Sequence, residues 1–174
     1  MLCEVQKGFT GCSQYFPAVK GEIQQHGDIN ISLEDIEDAG EGILKRRIKI
    51  QLGDEIRHVM HMQFTRWPNY GVVEDVSLLT GFVQEVHREA QKGNGEPIVV
   101  HCSGGVGRSG TFTTIYSLYS FLVCKDIKRL DSLLRAINWL YVVIMEISMV
   151  KTNVGCYGNQ ILALQPCGGN PYGA

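Results

Sequence analysis

The segment that most constrains the fold is a glycine-rich loop between a short apolar run and a long apolar stretch. The run covers residues 97–101, the loop covers residues 101–109 (HCSGGVGRS), and the helical stretch covers residues 111–123. Glycines and small side chains let successive backbone N–H groups turn inwards around an anion. A helix that starts directly after such a loop adds its positive end to the same place. The sequence therefore predicts a strand, an anion-binding loop and a helix, in that order.

The apolar pattern before and after this loop predicts the rest of the fold. Residues 29–33, 48–52 and 56–64 alternate at period two, which predicts an antiparallel meander. Residues 78–86 form a helical stripe with Ser77 as the predicted N-cap, and a further helix is predicted near Asp131. We therefore predict an α/β or α+β fold with a mixed, twisted β-sheet flanked by helices. The predicted domain spans residues 1–160, and residues 161–174 are predicted to be an irregular tail.

Composition excludes several classes of protein. The chain has 174 residues, enough for one domain, and its 16 Lys and Arg against 18 Asp and Glu give a net charge of −2. Such a balance offers no broad cationic face, so nucleic acid is not an expected partner. The longest apolar run, residues 139–145, is too short for a bilayer, so no membrane insertion is expected. Scattered cysteines and an early charged N-terminus predict a reducing, cytoplasmic location.

Three side chains of the loop carry its predicted chemistry. Loop amides, the helix terminus and Arg108 all favour a thiolate at Cys102. Arg108 offers a planar fork for two phosphoryl oxygens, and Ser109 is able to donate a hydrogen bond to the sulfur. The alternative is a buried structural thiol beside a capping turn. The combination of C-x5-R with its flanking elements favours the functional interpretation.

The loop resembles the phosphate loop of the Cys-based protein-tyrosine phosphatases. The match is HCSGGVGRSG at residues 101–110, with Gly104 where the family has alanine. The compact dual-specificity phosphatases share C-x5-R, but two more segments favour the tyrosine-specific branch. Residues 12–17 (CSQYFP) are similar to its C-x-x-Y-W-P element, and residues 63–72 (QFTRWPNYGV) are similar to its mobile W-P-D loop. The resemblance extends over residues 1–152.

The resemblance implies a two-step hydrolysis of phosphotyrosine through a phosphocysteine. It implies that Cys102 is the nucleophile, that Arg108 clamps the phosphate, and that Ser109 assists departure of the thiolate. His101 is implied to tune the thiolate. The implied phosphate-binding residues are Ser103, Gly104, Gly105, Val106 and Gly107 together with Arg108. No metal or organic cofactor is implied, and the implied partners are phosphotyrosine-containing proteins or peptides, with the oligomeric state left open.

The chain departs from the family pattern where protons are transferred. Asn69 stands in the place of the general acid, and an amide cannot donate the proton that a departing tyrosine needs. Loss of a positioned general acid typically costs ~10²–10⁴ in rate. Glu74 and Asp75 lie shortly after Asn69 in the sequence and are the alternative candidates for the general acid. Residues 149–152 (MVKT) carry Lys151 where the family has glutamine, and the expected water-positioning glutamine is not matched.

The N-terminal segment that carries the family's phosphotyrosine-recognition loop has no counterpart in the sequence. The predicted fold is therefore incomplete at its N-terminus, and substrate choice is open. Three functions are compatible with the sequence: a weakened phosphatase, a pseudophosphatase that binds phosphotyrosine without hydrolysing it, and a non-functional fragment.

Neither the histidines of residues 58–61 nor the basic run of residues 45–47 is predicted to form a functional site. His58 and His61 do not form a predicted metal site, because side chains three residues apart on a strand point to opposite faces. The basic run of residues 45–47 (KRR) is predicted to be a solvated strand face.

Overall fold

The computed structural model describes residues 1–5, 12–68, 71–93, 95–124 and 162–164. The chain forms two compact units, Met1–Leu78 and Leu79–Ala174, and each is described by itself. In chain order the elements are β1 (Ile23–His26), β2 (Ile29–Asp38), β3 (Ile43–Leu52), β4 (Glu55–Phe64), α1 (Val76–Ala90), β5 (Ile98–Val100), α2 (Gly107–Cys124) and β6 (Leu162–Leu164). This arrangement confirms the α+β class. The helix predicted near Asp131 and the tail segment 168–174 lie outside the described residues.

The first unit contains the predicted antiparallel meander. Its strands lie in the order β1-β2-β3-β4, and each is hydrogen-bonded to its neighbour in sequence. The turns at Gly27 and Gly53 need φ values of 60° and 56°, which glycine adopts without steric cost. Leu33 and Ile48 face each other across β2 and β3 and are buried in the core of the sheet. The period-two pattern therefore predicted both the strands and their pairing.

A mixed sheet was expected, but the ladders between the named strands are all antiparallel. The parallel pairing found in the described part of the chain is an isolated bridge between Val5 and Cys12.

β5 pairs with β6, so residues 162–164 form a strand where an irregular tail was predicted. Within β5, Val99 is 57% exposed whereas Val100 is buried. The strand therefore has one buried face and one exposed face at these two positions.

The start of α1 corrects the predicted N-cap. The carboxylate of Asp75, and not the hydroxyl of Ser77, caps the helix: Asp75 Oδ1 accepts a 2.8 Å hydrogen bond from the amide of Ser77. Ser77 is the second helical residue, which is the position whose orphan amide an N-cap side chain satisfies. This bond also engages Asp75, one of the two alternative acids.

Helix α2 begins four residues earlier than predicted. Because its first residue is Gly107, Arg108 and Ser109 lie in the first helical turn. Phe112 and Phe82 pack with ring centroids 5.6 Å apart, which joins α2 to α1. No helix among the described residues is both long and apolar enough to cross a membrane.

His58 and His61 lie on opposite faces of β4, as the sequence predicted, and the two faces differ in burial. His58 is exposed and lies 3.2 Å from Glu34, whereas His61 is buried and lies 3.0 Å from the hydroxyl of Tyr15. The prediction of a solvated basic run is wrong for Arg46, which is only 7% exposed. Arg46 shares the buried face of β3 with Ile48, because residues two apart on a strand lie on the same side.

Candidate active site

The candidate site is the loop that connects β5 to α2. Cys102 follows the end of β5 and is 4% exposed. The loop then reverses at Gly105, whose φ of 70° is the left-handed conformation that a residue without a Cβ adopts readily. The amide of Gly110 closes the first turn of α2 on the carbonyl of Val106 at 2.9 Å. The loop thus leads from the sulfur directly to a helix N-terminus.

The thiol of Cys102 is acidified by its surroundings. Burial by itself raises the pKa, because it disfavours the charged thiolate. Hydrogen bonding from the Ser109 hydroxyl, from the amides of Ser109 and Gly105, and the charge of Arg108 outweigh burial. The net pKa of Cys102 lies below its ordinary value. The surroundings of Cys102 therefore favour the thiolate form of its side chain.

Ser109 influences the ionisation of the Cys102 thiol. Its side chain is fully buried, and its Oγ makes no hydrogen bond of ordinary geometry within the described ranges. Even so, its hydroxyl is the largest of the influences that lower the pKa of Cys102. A hydroxyl in this position is able to stabilise a thiolate that departs from phosphorus.

Arg108 is held across the loop by a residue at the opposite end. Its Nη2 donates a 2.8 Å hydrogen bond to Oγ of Ser103. This contact ties the guanidinium to the opposite end of the loop. Sequence reasoning assigned Ser103 only to phosphate binding and missed its role in positioning Arg108. The two side chains are five residues apart, one in the loop and one in the first turn of α2, and no local periodicity gives a signal for such a pair.

His101 is half-buried beside the thiol. Its Nδ1 donates to the carbonyl oxygen of Cys102 at 3.4 Å, since a carbonyl only accepts. Burial lowers the pKa of His101, and the bond to the carbonyl opposes that shift only partly. The ring is therefore a neutral, oriented neighbour of the loop at pH 7.

The structure brings together every predicted site residue of the loop, residues 101–109, within the second unit. Asn69 lies outside the described residues, as do residues 149–152. The flanking residues of the W-P segment are described in the first unit, where Trp67 is buried and its Nε1 donates to the carbonyl of Gly71 at 3.3 Å.

Comparison with known proteins identifies the family. The sequence profile of the protein-tyrosine phosphatase family matches residues 1–138. Tyrosine-protein phosphatase non-receptor type 23 from Homo sapiens is 35% identical over 109 residues. Receptor-type tyrosine-protein phosphatase V from Rattus norvegicus is 40% identical over 119 residues. The chain belongs to the protein-tyrosine phosphatase family.

Solved structures agree with this assignment. The catalytic domain of human protein tyrosine phosphatase non-receptor type 18 superposes with a TM-score of 0.63 at 31% identity, covering 71% of this chain and 44% of that one. A structure of PTPN18 in complex with HER2 phosphopeptides has a TM-score of 0.62 at 26% identity, covering 84% of this chain and 56% of that one. The two sequence relatives above match 60% and 66% of this chain but only 7% of their own lengths.

The acidified thiol gives a first testable prediction. Ser109→Ala removes a hydroxyl that lowers the pKa of Cys102, so the pKa rises and the thiolate forms only at higher pH. The rate of Cys102 alkylation by iodoacetamide, followed against pH, is expected to move to higher pH. Ser117→Ala removes another buried hydroxyl of α2 and serves as the control. An unchanged pH profile in the Ser109 variant would contradict the assigned contact.

Proposed function

We propose that the chain is a weakened protein-tyrosine phosphatase that acts through Cys102. The observation that carries the proposal is the buried, acidified thiol of Cys102 in a loop that also holds Arg108 in place. Membership of the phosphatase family supports the reaction class. The HER2 phosphopeptides bound to PTPN18 support phosphotyrosine peptides as the substrate class for this chain as well.

In the first step, the thiolate of Cys102 attacks phosphorus and the P–O bond to the aryl group breaks. The electron pair of that bond stays on the phenolic oxygen, which needs a proton because the pKa of tyrosine is about 10. Arg108 and the loop amides stabilise the transferring phosphoryl group. In the second step, water attacks phosphorus, inorganic phosphate leaves, and the thiolate of Cys102 is regenerated with the help of Ser109.

The weakness of the proposed activity lies in proton transfer. Asn69 occupies the position of the general acid in the sequence, and its amide neither donates nor accepts the required proton. The first step with tyrosine as leaving group is therefore expected to be slow. A phenol with a low pKa leaves without protonation, so this defect does not affect its departure.

A second candidate function is a phosphotyrosine-binding pseudophosphatase, and Asn69 is the observation that favours it. A loop that binds phosphate without an acid to complete the reaction holds a phosphorylated partner and protects it. Both candidates use the same anion-binding loop, and they differ only in whether a phosphoryl group reaches Cys102.

The experiment that separates the candidates compares leaving groups. The proposal predicts that phenol release in the first turnover is ~10²–10⁴ times faster from an aryl phosphate with an acidic phenol than from a phosphotyrosine peptide, since only the peptide needs the missing acid in this step. Peptide binding without release of phenol from either substrate would support the pseudophosphatase. Equal rates of first-turnover release from both would show that another acid replaces Asn69. Neither binding nor turnover would favour the non-functional fragment.

A further inference from the structure

A small cavity in the first unit is lined in part by Arg46. It has a volume of about 290 Å³, just below the range of about 300–1,000 Å³ that is usual for small-molecule sites. Its lining includes Phe16, Leu44, Arg46, Gln63 and Thr65. All of these residues belong to the unit Met1–Leu78, and none of them is part of the loop at residues 101–109.

Arg46 is the unusual member of this lining. It is a cation that is 93% buried, and it has no carboxylate partner in the described part of the chain. Its guanidinium lies 4.5 Å from the ring centroid of Phe16, which stacks against one face. Burial of a charge without an anion is unfavourable unless a ligand or a neighbouring group compensates it.

The hydrogen bonds of Arg46 leave part of its fork available. Nη1 donates to Oε1 of Gln63 at 2.9 Å and lies 3.4 Å from Nδ1 of His61. Because a guanidinium only donates, His61 Nδ1 accepts, and its Nε2 then faces the hydroxyl of Tyr15 as a donor. Both contacts use Nη1, whereas the fork also carries donors on Nε and Nη2. Burial lowers the pKa of Arg46, but an arginine remains charged at neutral pH.

Gln63 is fixed in the orientation that supports this arrangement. Its Nε2 donates to the carbonyl of Cys3 at 2.8 Å, so its Oε1 must face the guanidinium. Thr65 similarly donates its hydroxyl proton to the carbonyl of Gly42. The polar groups beside Arg46 are therefore pre-oriented by the protein and do not neutralise its charge.

We propose that the cavity beside Arg46 and Phe16 is a binding site for a small organic carboxylate with an apolar body. A carboxylate matches the planar fork and supplies the single negative charge that Arg46 lacks. The apolar lining of Phe16 and Leu44 suits a hydrocarbon body. A phosphate dianion fits less well, because one arginine compensates one charge and the carboxylate of Glu4 also lines the cavity.

The test uses ¹⁹F NMR titration of the full chain with 4-fluorobenzoate as the probe. Arg108→Ala is present throughout, so that the loop at residues 101–109 does not bind the anion. Saturable one-to-one binding is expected with a Kd on the order of 1 mM, as the size of the probe allows. The neutral isostere 4-fluorobenzamide is expected to bind at least ~10-fold more weakly, because it lacks the charge-assisted contact. The dianion 4-fluorophenyl phosphate is also expected to bind more weakly.

Two variants locate the binding. Phe16→Trp introduces a larger ring into the lining and is expected to abolish binding of the probe. Ala18→Phe blocks the same cavity from an exposed position, where a large side chain leaves the core intact. Arg57→Gln, which removes an exposed arginine paired with Glu55, is the control and should leave the Kd unchanged. Absence of saturable binding, equal affinity for benzamide, or undiminished binding in both cavity variants would overturn the proposal.

Discussion

Asn69→Asp is expected to raise turnover of phosphotyrosine peptides by ~10²–10⁴, the usual contribution of a positioned general acid. The substitution changes only an amide to a carboxyl group and keeps the size of the side chain. The restored carboxylic acid protonates the departing tyrosine oxygen, which otherwise leaves as a phenolate with a conjugate-acid pKa of about 10. Steady-state kcat on a phosphotyrosine peptide measures the effect directly.

The control for this prediction is built into the choice of substrate. In a single turnover, release of the acidic phenol from its aryl phosphate should change far less in the Asn69 variant, because this first step needs no proton donor. Asn30→Asp adds the same charge at an exposed position of β2 and should change neither rate. If Asn69→Asp raises neither rate, the missing acid is not what limits the chain.

The second large effect is expected at Arg108. Arg108→Lys keeps the positive charge but loses the planar fork that holds two phosphoryl oxygens, and it also loses the Nη2 contact to Ser103. We expect kcat/KM on the acidic aryl phosphate to fall by ~10²–10³, the usual cost of removing one transition-state donor. The rate is measured at saturating and limiting substrate, so that binding and chemistry are separated.

Alkylation of Cys102 provides the readout that distinguishes a chemical role from a loss of structure. If Arg108→Lys leaves the loop folded, the thiol still reacts with iodoacetamide, since the hydroxyl of Ser109 and the loop amides continue to lower its pKa. Arg57→Lys, an exposed position, should leave kcat/KM unchanged. A folded Arg108 variant with undiminished kcat/KM would exclude the arginine as the phosphate clamp.

The sequence was sufficient for the elements whose determinants are local. The C-x5-R loop is contiguous, so its place between a strand and a helix could be predicted without tertiary information, whereas the roles of its side chains stay predictions. Period-two alternation likewise predicted β2, β3 and β4 as an antiparallel meander. The N-cap of α1 was displaced by two residues because Asp75 and Ser77 are both good capping residues. Only the bond from the Ser77 amide to the Asp75 carboxylate distinguishes them.

Burial of charge was harder to predict. The run of residues 45–47 contains three consecutive basic side chains, and composition alone favours a solvated face. Period two nevertheless places Arg46 on the same face as Ile48, and that face is the buried one. The period-two pattern thus already indicated that Arg46 is buried. The structure adds what stabilises the buried guanidinium, because Phe16 is stacked on it.

The central claim is that Cys102 accepts a phosphoryl group and that the defect lies in proton transfer. Intact-mass spectrometry of the full chain, quenched shortly after addition of an aryl phosphate with an acidic phenol, tests this claim most directly. The account predicts a phosphate adduct that peptide mapping places on Cys102 and that is absent from Cys102→Ser. No adduct on the wild-type chain while the thiol remains reactive to iodoacetamide, or an adduct that persists in Cys102→Ser, would contradict it.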